Sequence, residues 1–217
     1  MKLYMMVACP TLKQEIEAIM ADAGLDYPVF YLPNELHLQP DNLRSYLKDF
    51  IPRLHHVDYL VLPMGRCGDG TIGVPSGNCT LVLPKCDDCI NLLLAEKSIR
   101  EVERPKYMYF FTESWLDYQH SFTNEYTMAV EKYGQDRADM LTKMMYAHYK
   151  YFGYVDTGYG DYESARKRVE PLAEVAETEI VRLPAHLSAL RRMVTLQFDE
   201  NFLLVPPGET VTREMFA

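Results

Sequence analysis

Of the five cysteines in the chain, Cys9, Cys67, Cys86 and Cys89 follow closely on short apolar runs at residues 3–8, 58–63 and 80–84, which read as buried strands. In an open α/β sheet the carboxyl ends of parallel strands line one crevice, so thiols far apart in sequence converge there. Thiolates are soft donors suited to zinc, copper(I) and iron–sulfur clusters, and a tetrahedral zinc or a cubane takes up to four of them. The two-residue gap between Cys86 and Cys89 lets both thiols face one ion, with Cys9 and Cys67 completing the set. The same Cys86-Asp87-Asp88-Cys89 also reads as a dithiol redox motif at a helix start, where the dipole favours a thiolate. Two carboxylates between the thiols oppose that thiolate unless a metal cation is present. Against both readings stands the plain one that cysteines are among the most often buried small residues, and Cys79, set just before a strand, is assigned to the core.

Other residues could complete such a site. His37 follows the second apolar run as a further ligand or proton shuttle, or as a half-buried structural histidine, whereas His55 and His56 read as solvated. Residues 68–73 satisfy the G-x-G-x-x-G spacing, yet the chain proceeds to another strand instead of the helix that pyrophosphate binding requires. Gly68 and Gly70 instead suit close approach of backbone to a bound group. Glu113 and Trp115 follow the fifth strand, and Asp156 and Thr157 the sixth. Strand-exit polar residues are candidates for substrate contact, with helix capping and turn formation as the alternative for Asp156 and Thr157 before Gly158. The expected substrate-binding set is Gly68, Gly70, Asp88, Trp115 and Asp156; no catalytic residue is assigned.

Positioning these side chains needs a run of βα units. Leu12, Ile16 and Ile19 repeat at helical spacing before Gly24, a helix stop. Residues 29–32 form a short strand, and Leu43, Tyr46, Leu47 and Phe50 make the apolar stripe of a second helix ending at Pro52. Residues 65–77 are too glycine-rich for a long helix and predict a loop at the crevice. A helix starts at Cys89 with Asp87 and Asp88 at its cap. Further strands are expected at 107–111, 151–155, 179–183 and 202–205, with a Tyr-rich helical insertion over 115–152 as a cover. The fold class is α/β, three-layer with a mostly parallel sheet. Similarities between 31–36 and 181–187, and between 60–65 and 203–208, suggest two flavodoxin-like pseudo-repeats, 1–104 and 105–217, within a single domain spanning 1–217.

Composition narrows the partners. A chain of 217 residues with 48% hydrophobic content can bury a sizeable core. Its 31 acidic against 22 basic side chains, a formal charge of −9, disfavour nucleic acid and anionic lipid. No apolar run of membrane-spanning length occurs and no signal core follows Met1-Lys2, so a cytoplasmic protein is expected. A reducing compartment favours metal-binding or catalytic thiols over disulfides.

Taken together, Val7-Ala8-Cys9-Pro10-Thr11-Leu12, Leu36-His37, Gly65-Arg66-Cys67-Gly68-Asp69-Gly70, Pro84-Lys85-Cys86-Asp87-Asp88-Cys89, Asp156-Thr157-Gly158 and Val205-Pro206-Pro207-Gly208 resemble the bacterial and archaeal family known as "domain of unknown function 1638". The resemblance implies that Cys9, Cys67 and Cys89 are the characteristic cysteines, that Asp88 is the acidic residue before the last, and that Cys86 is an optional extra. It also associates the chain with anaerobic one-carbon metabolism and corrinoid-dependent methyl transfer. The functional expectation is a three-cysteine site for zinc or an iron–sulfur cluster, working with a small molecule and with a corrinoid protein or methyltransferase. The alternatives are a non-catalytic module delivering metal or corrinoid, and a thiol–disulfide protein using Cys86 and Cys89.

Overall fold

In the computed structural model, which describes residues 2–37, 39–96, 98–100 and 102–217 and not the side chains of Asn34 and His37, the chain divides into two units. One comprises Met1–Val102 with His186–Ala217, the other Glu103–Ala185. The first contains β1 (Tyr4–Ala8), α1 (Lys13–Ala23), β2 (Val29–Tyr31), α2 (Pro40–Phe50), β3 (Tyr59–Val61), β4 (Thr80–Pro84) and α3 (Cys89–Leu94). The second contains β5 (Met108–Phe111), α4 (Glu113–Leu116), α5 (Phe122–Tyr133), α6 (Gln135–Tyr146), β6 (Tyr151–Asp156), α7 (Tyr162–Ala176) and β7 (Glu179–Pro184), after which α8 (Ser188–Val194) and β8 (Phe202–Val205) return to the first.

The first sheet has the order β2-β1-β3-β4-β8. Its strands pair in parallel except β8, which runs antiparallel to β4 with Val82 opposite Leu204. Met6, Val7 and Ala8 are consecutive and all fully buried, as a parallel strand covered on both faces requires. On one face Val7, Leu60, Leu62, Leu81 and Leu83 pack with Leu43 and Leu47 of α2. Each such buried aliphatic side chain contributes about 1.5–3 kcal/mol. Gly24 ends α1 in the left-handed region, φ 63°, its amide bonded back to Ala21 and Met20, a conformation open to glycine at no steric cost. The α2 stripe ends where expected, with Pro52 inside a short 3-10 turn, Ile51–Arg53.

The second unit carries the parallel sheet β5-β6-β7. An aromatic core of Phe111, Trp115, Phe122, Tyr146, Phe152 and Tyr154 packs there. The Tyr-rich stretch is largely helical as expected, as α4, α5 and α6, with its last residues opening β6. The architecture is thus three-layer α/β with mostly parallel sheets. The partition differs from the expected halves at one point: 186–217 rejoin the first unit, because the apolar face of β8 pairs with β4 and not with β7. Among the described residues no helix is long and apolar enough to cross a membrane.

Candidate functional site

Three cysteines of the first unit meet at the carboxyl ends of neighbouring strands. Cys9 leaves β1 in extended conformation and accepts the Leu12 amide on its carbonyl at 3.1 Å. Cys67 lies in the loop after β3, and Cys89 is the first residue of α3, after β4. All three are half-buried. Burial pushes the Cys67 thiol far up, and negative charge on Cys9, Asp88 and Cys86 pushes it further. Burial does the same to Cys89, joined by Cys67, Cys9 and Asp88. Burial also raises Cys9. Contact with the Thr11 hydroxyl partly opposes the rise at Cys9 and Cys89. Cys9 is thus within electrostatic reach of Cys67 and Cys89, and negative charge on it disfavours ionisation of both.

The loops that carry them are tied together. Arg66 N donates to Cys86 O at 3.0 Å and Cys67 N to Asp87 O at 2.7 Å, continuing the β3–β4 pairing beyond the strands. Gly65 permits this, since a Cβ there would overlap the Cys86 carbonyl. Cys67, Gly68 and Asp69 then have φ of 47°, 64° and 67°, one left-handed turn closed by Gly70 N to Cys67 O at 3.1 Å. Two non-glycine residues in that region are costly and persist only where surroundings enforce them. Asp69 is the enforcing group: its carboxylate pairs with Arg213, and its carbonyl accepts from Arg44 Nη2 at 2.8 Å.

A family model for a protein of unknown function (DUF1638) matches residues 31–194. The chain belongs to the DUF1638 family. No match to a curated protein or to a solved structure was found. In this DUF1638 protein the matched span contains Cys67, Cys86, Cys89, Trp115 and Asp156, while Cys9 precedes it.

The other expected site residues have clear placements. Asp88 caps α3, its carboxylate accepting Ile90 N at 2.9 Å and Asn91 N at 3.3 Å. Cys86 is buried, its Sγ 3.3 Å from the Asp88 carbonyl. Gly68 and Gly70 face α2: a Cβ would lie 2.8 Å from Pro40 Cγ at the first and 2.9 Å from Leu43 Cδ2 at the second. Helix packing thus accounts for both glycines. His37 ends a 3-10 turn, and its side chain is outside the described residues. Cys79 is core as expected, its thiol pushed up to about 11 by burial. His55 and His56 are exposed.

Trp115 and Asp156 belong to the second unit. Trp115 is buried, its indole N–H donating to Tyr109 Oη at 3.2 Å. Asp156 pairs with Arg182 and accepts the Gly158 amide at 3.0 Å. Trp115 thus has a packing role, and Asp156 the turn role expected as its alternative.

Two features escaped the sequence reading. Glu15 is fully buried on α1; its signal was its place on the stripe Leu12, Glu15, Ile16, Ile19, where a carboxylate needs a partner. The cations Arg66, Lys85, Arg100 and Arg213 line one cavity, which the net negative charge of the chain concealed.

The donor chemistry of Cys9, Cys67 and Cys89 fits zinc or an iron–sulfur cluster. Among the described residues, however, no three His, Cys, Asp or Glu side chains are gathered round one point at ligating positions. No disulfide joins any of the five cysteines.

Proposed function

We propose that Cys9, Cys67 and Cys89 hold a zinc ion or an iron–sulfur cluster, with Cys86 as an auxiliary thiol. The observation that carries this reading is the placement of three half-buried thiols at adjoining strand ends, with burial and neighbouring negative charge both raising Cys67 and Cys89. In isolation such thiols stay protonated, and a cation placed among them reverses the balance. When bound, zinc would supply Lewis-acid activation of a thiol and a cluster would supply electron transfer. The chain's own part is positional: the tied loops fix Cys67 against the Cys86–Cys89 segment, and the Thr11 hydroxyl favours the thiolate at Cys9 and Cys89. A role in corrinoid-dependent methyl transfer, as enzyme or as delivery module, follows from the family resemblance alone.

The test is metal and sulfide analysis with an absorption spectrum on protein purified without oxygen. About one equivalent of zinc, or iron with sulfide, is expected, lost in Cys9→Ala, Cys67→Ala and Cys89→Ala and kept in Cys79→Ala. Metal-free protein with every thiol titratable overturns the reading. Ready loss of the metal to a chelator would favour delivery over catalysis.

A further inference from the structure

A cavity of about 340 Å³ opens in the first unit beside the thiol cluster. Arg66, Lys85, Arg100 and Arg213 line it, together with Cys86 and Asp87. Arg66 is held by Asp87, and Arg213 by Asp69. Arg100 donates to main-chain oxygens, Ala217 O at 3.3 Å and Glu200 O at 3.5 Å. Among the described residues the Lys85 ammonium has no hydrogen-bond or carboxylate partner. Four cations thus line one cavity, two of them paired with the Asp87 and Asp69 carboxylates, in a chain whose net charge is −9.

We infer that this cavity binds a small molecule through a phosphate group. Guanidinium groups oriented by carboxylates keep further N–H donors in fixed directions, which match the oxygens of a phosphate and lose little entropy on binding. The cavity falls in the usual size range for small-ligand sites, about 300–1,000 Å³. A phosphate, with its three outer oxygens and near-double charge, can engage four cations at once; a carboxylate has two oxygens and a single charge. Cys86 connects this cavity to the thiols: it lines the wall, and its carbonyl accepts the Arg66 amide at 3.0 Å, one residue before Cys67. The cavity wall therefore shares the Arg66–Cys67 and Cys86–Asp87 segments with the proposed centre. The inference deepens the thiolate reading by naming a substrate class, but its phosphate contacts do not depend on a metal.

The experiment is calorimetric titration of the full chain with inorganic phosphate and with pyrophosphate, using malonate as the dicarboxylate control. Saturable binding of a phosphate probe is expected, weakened by about tenfold or more in Lys85→Ala and Arg213→Gln. Arg213 is exposed and Lys85 half-buried, and an unchanged melting transition will show that each variant folds. Cys9→Ala should lose metal while keeping phosphate binding, and Lys85→Ala should do the reverse, so failure of either idea is read separately. No saturable heat with either phosphate probe, tighter binding of malonate, or equal affinity in the folded variants would each overturn the inference.

Discussion

The amide of Cys67 donates to the carbonyl of Asp87 over 2.7 Å, so the turn bearing one thiol hangs from the segment bearing the next two. Gly65 lies two residues before this tie, where a methyl group would meet the Cys86 backbone, which cannot rotate away. Gly65→Ala is therefore expected to cost about 2–4 kcal/mol in urea denaturation and to lower metal content. An unchanged midpoint would show that the tie is dispensable.

Asp88 serves both as the cap of α3 and as a charge opposing ionisation of Cys67 and Cys89. Substitution separates the roles. Asp88→Ala should lose about 1 kcal/mol of stability, and Asp88→Asn, which retains the capping oxygen, should lose little. Both should let Cys67 and Cys89 ionise at lower pH, seen as faster alkylation by iodoacetamide at fixed alkaline pH.

The Cys79 thiol is raised by burial from 9.0 to about 11. A raised value means the folded state holds the proton more tightly, so this contribution is complete below about pH 9 and fades as pH climbs toward 11. Cys79→Ala should cost about 1–2 kcal/mol at neutral pH through lost packing. That deficit should shrink by about 1–2 kcal/mol between pH 9 and 11. A constant deficit across this window, by chemical denaturation, would contradict the assignment.

In the second unit Arg168 links Glu113, Asp117 and the Leu116 carbonyl. Burial raises the Glu113 carboxyl and Arg168 opposes the rise, while Glu113 Oε2 is buried without a hydrogen bond. Arg168→Ala should cost about 1–3 kcal/mol, since it strands a largely buried carboxylate. Adding Glu113→Gln should recover part of that loss, and a fully additive double variant would argue against direct interaction.

Much of this fold was legible where local signals decide it. The strands at 80–84 and 202–205 and the start of α3 at Cys89 coincide with the structure, because apolar runs, a capping aspartate and flanking proline act over a few residues. Long-range relationships left no such trace. The apolar pattern of β8 marks a strand but does not specify β4 as its partner. Gly68 and Gly70 announce close approach without revealing that Pro40 and Leu43 are what approaches. The left-handed turn at Cys67 and Asp69 depends on arginines at positions 44 and 213, which no local reading could join. That Cys9, Cys67 and Cys89 follow β1, β3 and β4 was legible, since each comes after a short apolar run.

The antiparallel seam between β4 and β8 also has a bearing on how the molecule is made. Val82 must await Leu204, so all of Glu103–Ala185 emerges from the ribosome before the first sheet can be completed. Until then the β4 edge is an open template, and closing so long a loop slows the final step. A nascent chain arrested near residue 185 should thus expose the Leu81–Leu83 edge to chaperones or to other chains.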